Sequence, residues 1–324
     1  MATGNTSFST LLTTTLANYG REIFDNVTTN NALLYLLKQS GNIKVVGGGE
    51  TFNHPLIYQK NSSFQMYNSL DVIPLTVTDG ATRASYNIKV AAGSITLPTL
   101  ELAKNAGSKE KLLDYAEVKK MEAEISMTEL LGDQVFEDGS TDQEFGGLQY
   151  LINESPSTQT ASVGGIATSA NSNTYWHNYS YDTVVGSFNS TDFGLKAMNT
   201  CLNEATFGRM GPKAIFTTKA VYQLYELALT GQIRYTRTDL ADKGFQALQY
   251  ATLPVMFDDS CPPANMYFVD TDSLWLQVLA QGNMQITQFQ LKDDQLASSA
   301  LMYLFGNLTT GSRRTNAVID SITG

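Results

Sequence analysis

The stretch 108–136 (SKEKLLDYAEVKKMEAEISMTELLGDQVF) constrains the fold more than any other part of the chain. It contains no proline, and its one glycine, Gly132, stands near its end. Ser108 is placed as an N-cap, and Glu110 in the first turn suits the positive end of a helix dipole. Roughly 25 residues of helix span ~37 Å, wider than many small domains. Wound at 100° per residue, the segment carries Leu112, Ala116, Ala123, Met127 and Leu130 on one side, flanked by Leu113 and Leu131. Val118, Met121 and Ile125 fall almost opposite, with Glu110, Glu117 and Glu124 between the two stripes. A surface helix of a lone globule needs one apolar stripe. A second stripe predicts a helix held between two layers, inside the subunit or against another copy.

A chain of 324 residues has room for one large or two ordinary domains. Hydrophobic residues make up 42% and charged residues only 16%, with Ser, Thr, Asn and Gln filling the gap. Such a polar, thinly charged surface suits extensive protein contact, because burying hydroxyls and amides costs less than burying ions. The net charge of −10 excludes a basic face that grips nucleic acid, though not a shell that encloses it. Cys201 and Cys261 are too few for a disulfide framework and read as reduced thiols. No run approaches the ~20 apolar residues needed to cross a bilayer, and Leu11, Leu12 and Leu16 lack a basic flank, Arg21 being the first basic residue.

Along the chain, 1–32 is a Thr/Ser/Asn-rich arm, and 31–39 holds an apolar cluster of two helical turns. From 43 to 102 the period becomes that of strands. Leu75–Thr78, the turn Asp79–Gly80 and Tyr86–Val90 read as two paired strands. The polar 60–70 segment has isolated Phe64, Met66 and Tyr67, and a ribbon this poor in apolar residues needs something else to pack on. It is expected to reach a neighbouring subunit through Lys60, Phe64 and Tyr67. An acidic, glycine-punctuated turn fills 133–148, and 153–190 reads as a polar surface excursion. An α/β unit follows. Leu195, Met198, Leu202 and Ala205 mark one helix, 212–217 a buried strand, and Thr218 caps a second helix. Strands 253–257 and 266–269 come next, then a tail that alternates at Met284, Ile286 and Phe289 and runs through Arg313–Arg314 to Ala317–Ile319.

Catalytic patterns are missing. His54 and His177 stand 123 positions apart, and no HExxH, GxSxG or phosphate-loop spacing occurs. Gly47–Gly49 reads as a flexible turn, and the pairs Asp258–Asp259 and Asp293–Asp294 as solvated loops more than cation sites. No enzyme, cofactor or metal is expected.

The order of parts resembles the major capsid protein of tailed bacteriophages, whose fold is shared with encapsulins and the herpesvirus capsid floor. The segment 130–148 resembles the family's link from spine helix to axial domain. Segments 212–229, 253–255 and 266–268 resemble the axial core, and 284–286 through 313–319 the last peripheral strand. The resemblance implies an α+β fold: N-terminal arm (1–42), extended hairpin loop with adjoining peripheral strands (43–102), spine helix (103–140), axial α/β domain (141–282) and peripheral C-terminal ribbon (283–324). It implies homo-oligomeric hexamers and pentamers of an icosahedral virion shell, assembled in the host cytoplasm. That shell encloses double-stranded DNA without sequence-specific binding and has no membrane partner. A separate or already removed scaffold, a portal and decoration proteins are the implied partners. Contacts are expected at Val118, Met121 and Ile125 on the spine. Arg313 and Arg314 would either meet an acidic neighbour or stand in solvent. Lys60 is the candidate donor for the Lys–Asn bond that welds subunits in some members. Two alternatives stay open: an encapsulin-like shell around protein cargo, and a carbohydrate-binding surface protein using the aromatics at 175–179.

Overall fold

The computed structural model describes residues 31–73, 75, 79–105, 109–159, 162–169, 171–182, 188, 193–229, 248–291 and 295–324. The arm before residue 31, the cap Ser108 and the pair Asp293–Asp294 lie outside the described residues. Helix α1 (Ala32–Gln39) precedes strands β1 (Ile43–Val46), β2 (Thr51–Ile57), β3 (Ala81–Asn87) and β4 (Lys89–Pro98). Then come α2 (Thr99–Asn105), the long α3 (Lys109–Gln134), the short α4 (Leu148–Leu151), β5 (Tyr179–Asp182) and α5 (Gly194–Ala205). They are followed by β6 (Ala214–Thr217), α6 (Lys219–Ala228), β7 (Leu248–Tyr250), β8 (Leu253–Phe257), β9 (Met266–Val269) and β10 (Leu274–Leu279). The last elements are β11 (Gln285–Ile286), β12 (Gln290–Leu291), β13 (Ala297–Thr310) and β14 (Ala317–Asp320). No helix among the described residues is long and apolar enough to cross a membrane.

The described residues divide into two compact units, one of 90–131 and 281–304, the other of 31–89, 132–280 and 305–324. In the first, β11, β12 and β4 pair with β13. Ala300, Met302 and Leu304 of β13 are buried while Leu301 between them is exposed, the period of a half-covered strand. On α3, Met127 and Leu131 are buried, and Val118, Ala123 and Ile125 are half-buried. Leu130, expected on the buried stripe, is exposed instead, because Leu131, four residues on from Met127, takes the covered position.

In the second unit a six-stranded sheet runs β5-β14-β9-β6-β8-β7, with β5/β14 and β6/β8 parallel and the rest antiparallel. Strands β6 and β9 are buried throughout, as central strands covered on both faces must be. Ala197, Met198, Cys201 and Ala205 form the covered face of α5, at helical spacing, and join Ile215, Tyr225, Val255, Phe268 and Ile319 in one core. Helix α6 starts on Thr218, whose hydroxyl accepts from the Val221 amide at 3.5 Å. Ala317–Ile319, expected in the last peripheral strand, instead fill the gap between β5 and β9, and all three are fully buried. A second layer pairs β1 in parallel with β10, and β10 antiparallel with the end of β13.

The hairpin pairs differently from the sequence reading. Strand β3 pairs with β2, from Thr51 opposite Asn87 to Ile57 opposite Ala81, so Asp79–Gly80 opens the returning strand and does not turn the hairpin. This register puts Phe52, His54, Ala84 and Tyr86 on one buried face; a slip of one residue would turn one strand's pair outward. The 153–190 stretch is also not a loose excursion. Its described part folds inward around Val163 and Trp176, both buried.

Candidate functional site

The feature built for contact is the ribbon 51–87. Its base is locked. The His54 Nε2 lies 3.1 Å from the Thr309 hydroxyl, its ring stacks on Trp275 with centroids 4.9 Å apart, and Tyr86 donates to the Thr310 carbonyl at 3.0 Å. Lys44 Nζ sits over the same indole, 3.9 Å from its centroid. Burial, and secondarily the Lys44 charge, holds the His54 pKa down at about 4, so the imidazole is neutral at physiological pH. Pro55 stands opposite Arg83, one residue from the His54–Ala84 pair. The Ser85 amide points away from β2, to the Gly164 carbonyl at 2.8 Å. Alternation therefore makes Pro55–Arg83 a non-hydrogen-bonded pair, where a missing N–H costs nothing.

Beyond Ile57 the ribbon is apolar and uncovered. Phe64 is 86% exposed, Met66 100%, Leu70 94% and Leu75 97%, with Ile57 and Val72 close behind. The segment holds its own shape through polar contacts: the Asn61 carboxamide accepts from the Ser63 amide and hydroxyl, and Asp71 accepts from the Asn68 amide. Tyr67, half-buried, donates to the Ser63 carbonyl at 2.7 Å and closes the tip, while Lys60 is exposed. Sequence reading named Lys60, Phe64 and Tyr67 as contacts but not Ile57, Val72 and Leu75, whose apolar character alone does not tell exposed from buried.

On α3, Met121 is 39% exposed while Val118 and Ile125 are half-buried. The two arginines part company. Arg314 is exposed, its guanidinium 4.0 Å from the centre of the Phe207 ring. Arg313 is fully buried and unavailable to any neighbour, which overturns its expected intersubunit role. Its Nε donates to the Leu151 carbonyl at 2.6 Å, and its Nη2 to Gln159 Oε1 and Asn178 Oδ1 at 3.1 and 3.0 Å. No carboxylate pairs with it among the described residues, and burial lowers its pKa to about 10. The reason is geometric: Gly311 and Ser312 turn the chain inward between two buried strands, and the side chain follows.

Other polar groups are structural. Asp258 is buried and accepts from the Leu33 amide at 3.0 Å and the Ser260 amide at 3.1 Å. It thus caps α1 from 225 positions away and is no solvated loop residue. Burial raises its pKa to about 6 against the pull of those amides. Glu137, Asp138 and Glu144 bring carboxylate oxygens within 4.8 Å of one another, and burial, then Glu144, Asp138 and Asp133, raise the Glu137 pKa. Gly147 is required there, since a Cβ would stand 2.5 Å from the Glu137 amide nitrogen. An open depression of about 340 Å³ holds His54, Trp275, Lys213 and Asp272. Its lysine pairs with Asp272 and its imidazole with the Thr309 hydroxyl. The aromatic platform at 175–179 is not displayed: Trp176 is buried and Tyr175 stacks on Tyr58.

No protein-family model matches the chain, and no curated protein matches it in sequence. Solved structures do. The cyanophage A-1(L) capsid aligns over 95% of this chain and 98% of its own, with a TM-score of 0.69 at 15% identity. The capsid of a native GTA particle aligns over 94% and 95% (TM-score 0.60, 10% identity). The SrpI encapsulin of Synechococcus elongatus PCC 7942 aligns over 95% and 93% (TM-score 0.59, 11% identity). The chain has the tailed-phage major capsid fold, shared with encapsulins.

Proposed function

We propose that this chain is the structural subunit of an icosahedral phage shell. One observation carries the reading. Among its described residues, a ribbon with a locked base exposes seven large apolar side chains, Ile57, Phe64, Met66, Leu70, Val72, Ile73 and Leu75. Monomeric proteins rarely leave such a surface uncovered, and a second copy of the chain is the partner the fold supports. Copies join as hexamers and pentamers, with Lys60, Phe64 and Tyr67 on the ribbon and Val118, Met121 and Ile125 on α3 as contacts. The closed head encloses double-stranded DNA without reading its sequence, and an acidic chain lets DNA slide in without sticking. The subunit performs no chemistry. A separate scaffold, a portal and decoration proteins are its partners, and the virion its location.

The likeness to an encapsulin supports a second reading, a shell around protein cargo. Size-exclusion chromatography and negative-stain electron microscopy of the chain, alone and with its candidate scaffold, test the first. Shells or rings of five or six are the expected products, and a stable monomer under every condition overturns the reading. Nuclease-protected DNA in native particles separates a virus from an encapsulin.

A further inference from the structure

The described residues 162–169 and 171–177 touch the ribbon at two heights. Near the base, Val163–Ile166 forms a tight turn closed by reciprocal backbone bonds of 3.0 and 3.1 Å, with Gly164 and Gly165 both at positive φ. The Gly164 carbonyl accepts the Ser85 amide, adding a bond to the outer edge of β3. A Cβ on Gly164 would lie 2.9 Å from the Ala84 Cβ and 3.1 Å from the Tyr86 ring, so the turn is seated against the strand. Further out, Tyr175 stacks on Tyr58 with centroids 5.1 Å apart, where Tyr58 is bonded to Gly80 and the paired strands end. Gly80 lies four residues beyond Ala84, so the supports are about 13 Å apart along the ribbon.

The segment is itself tied down. The Trp176 indole N–H donates to the Val163 carbonyl at 3.0 Å, joining the two contact points. Arg313 holds Gln159, and the Thr168 hydroxyl donates to the Gln159 carbonyl at 2.9 Å while the Thr168 carbonyl meets the His177 Nε2 at 2.7 Å. A two-stranded ribbon with one support could swing about it. Two supports joined by a bonded frame leave one direction.

We infer that residues 162–169 and 171–177 form a bracket that sets the direction in which the ribbon leaves the subunit, and through it the angle between neighbouring copies. This rests on the shell-subunit reading above. Gly164 and Tyr175 are its positioning residues. A tilt of a few degrees at the base becomes a displacement of several ångströms at the tip, and a shell of hexamers and pentamers tolerates only a narrow range of such angles.

The test compares particles formed by wild type, Tyr175→Ala, Gly164→Ala and Ala84→Gly/Gly164→Ala under identical conditions by electron microscopy, with hydrogen exchange at the Ser85 amide. Tyr175→Ala keeps the fold and assembles, but spreads the product over several diameters, tubes and open sheets. Gly164→Ala loses the wild-type particle class and Ser85 protection, and the double variant, which removes the Ala84 methyl but leaves the positive φ and the Tyr86 contact, recovers them only in part. Wild-type particle populations from both single variants overturn the bracket while leaving the shell reading intact. A wild type that never assembles overturns the shell reading and the bracket with it. Should Gly164→Ala fail to fold, the result from Tyr175→Ala decides.

Discussion

His54 and Trp275 lie face to face, 4.9 Å between ring centroids and 17° from parallel, and this stack is the footing on which the ribbon stands. It is sensitive to acid. An unfolded chain protonates its histidine near 6.5, whereas the folded chain holds His54 down at about 4. As pH falls the unfolded state binds the proton first, so the stabilisation is whole above about 6.5 and is lost progressively toward 4, by about 2–3 kcal/mol at full extent. Asp258 acts in the opposite sense: its raised pKa of about 6 favours the folded state as pH falls through that value. Urea titrations of wild type and His54→Gln at pH 7 and 4.5 separate the two. The variant keeps a group able to reach Thr309 and does not titrate, so the gap between the proteins narrows at the lower pH.

Arg313 binds three oxygens from three places, and its buried guanidinium has no carboxylate to neutralise it among the described residues. Lysine lacks the planar fork that meets them. Arg313→Lys is expected to lower stability by about 2–4 kcal/mol through unsatisfied buried acceptors. Arg314→Lys, on the exposed face over Phe207, should change it by less than about 0.5 kcal/mol. Thermal unfolding of the two variants side by side checks the contrast.

On the proposed shell function, the ribbon's apolar side chains are expected to contribute to assembly and not to the subunit's own stability. Replacing Phe64, Met66 and Leu70 together by serine should leave the denaturation midpoint of the monomer within the error of wild type, since exposed positions carry only ~0.5 kcal/mol each. The same protein should fail to form closed particles. Sedimentation velocity reads the assembly, and a triple variant that assembles normally removes the ribbon from the interface.

Asp258 and Leu33 make a paired prediction. Asp258→Ala strips the cap from α1 and should cost about 1–2 kcal/mol. Leu33→Ala, at a fully buried position, should cost about 2–4 kcal/mol. Because the two residues serve the same helix end, the double variant should cost less than the sum, which a double-mutant cycle measures.

Much of this was legible from one sequence where the signal was local. The long helix, the Thr218 cap and the buried strand at 214–217 depend on neighbours a few positions away, and they stand where the pattern put them. Arg313 was not legible, because its partners lie 162, 154 and 135 positions away and two are uncharged side chains that no charge pattern reveals. The bracket was missed for a related reason. It is held by backbone carbonyls and single aromatic residues, so it has no hydrophobic period. Strand β14 was attached to the wrong part because a three-residue apolar run says that it is buried but not which strands flank it.

The long reach of the contacts at Asp258, Thr309 and Thr310 has a consequence for synthesis. Leu33 waits 225 positions for its cap, and His54 waits 255 for the hydroxyl beneath it. At ~5–20 residues per second the ribosome takes roughly 10–50 s to cover those intervals. Throughout that time the ribbon of a nascent chain has no floor to stand on and cannot present its apolar face in an assembling orientation. The apolar ribbon and the floor beneath it are thus separated in the message itself, and the ribbon's footing is complete only when synthesis is nearly finished.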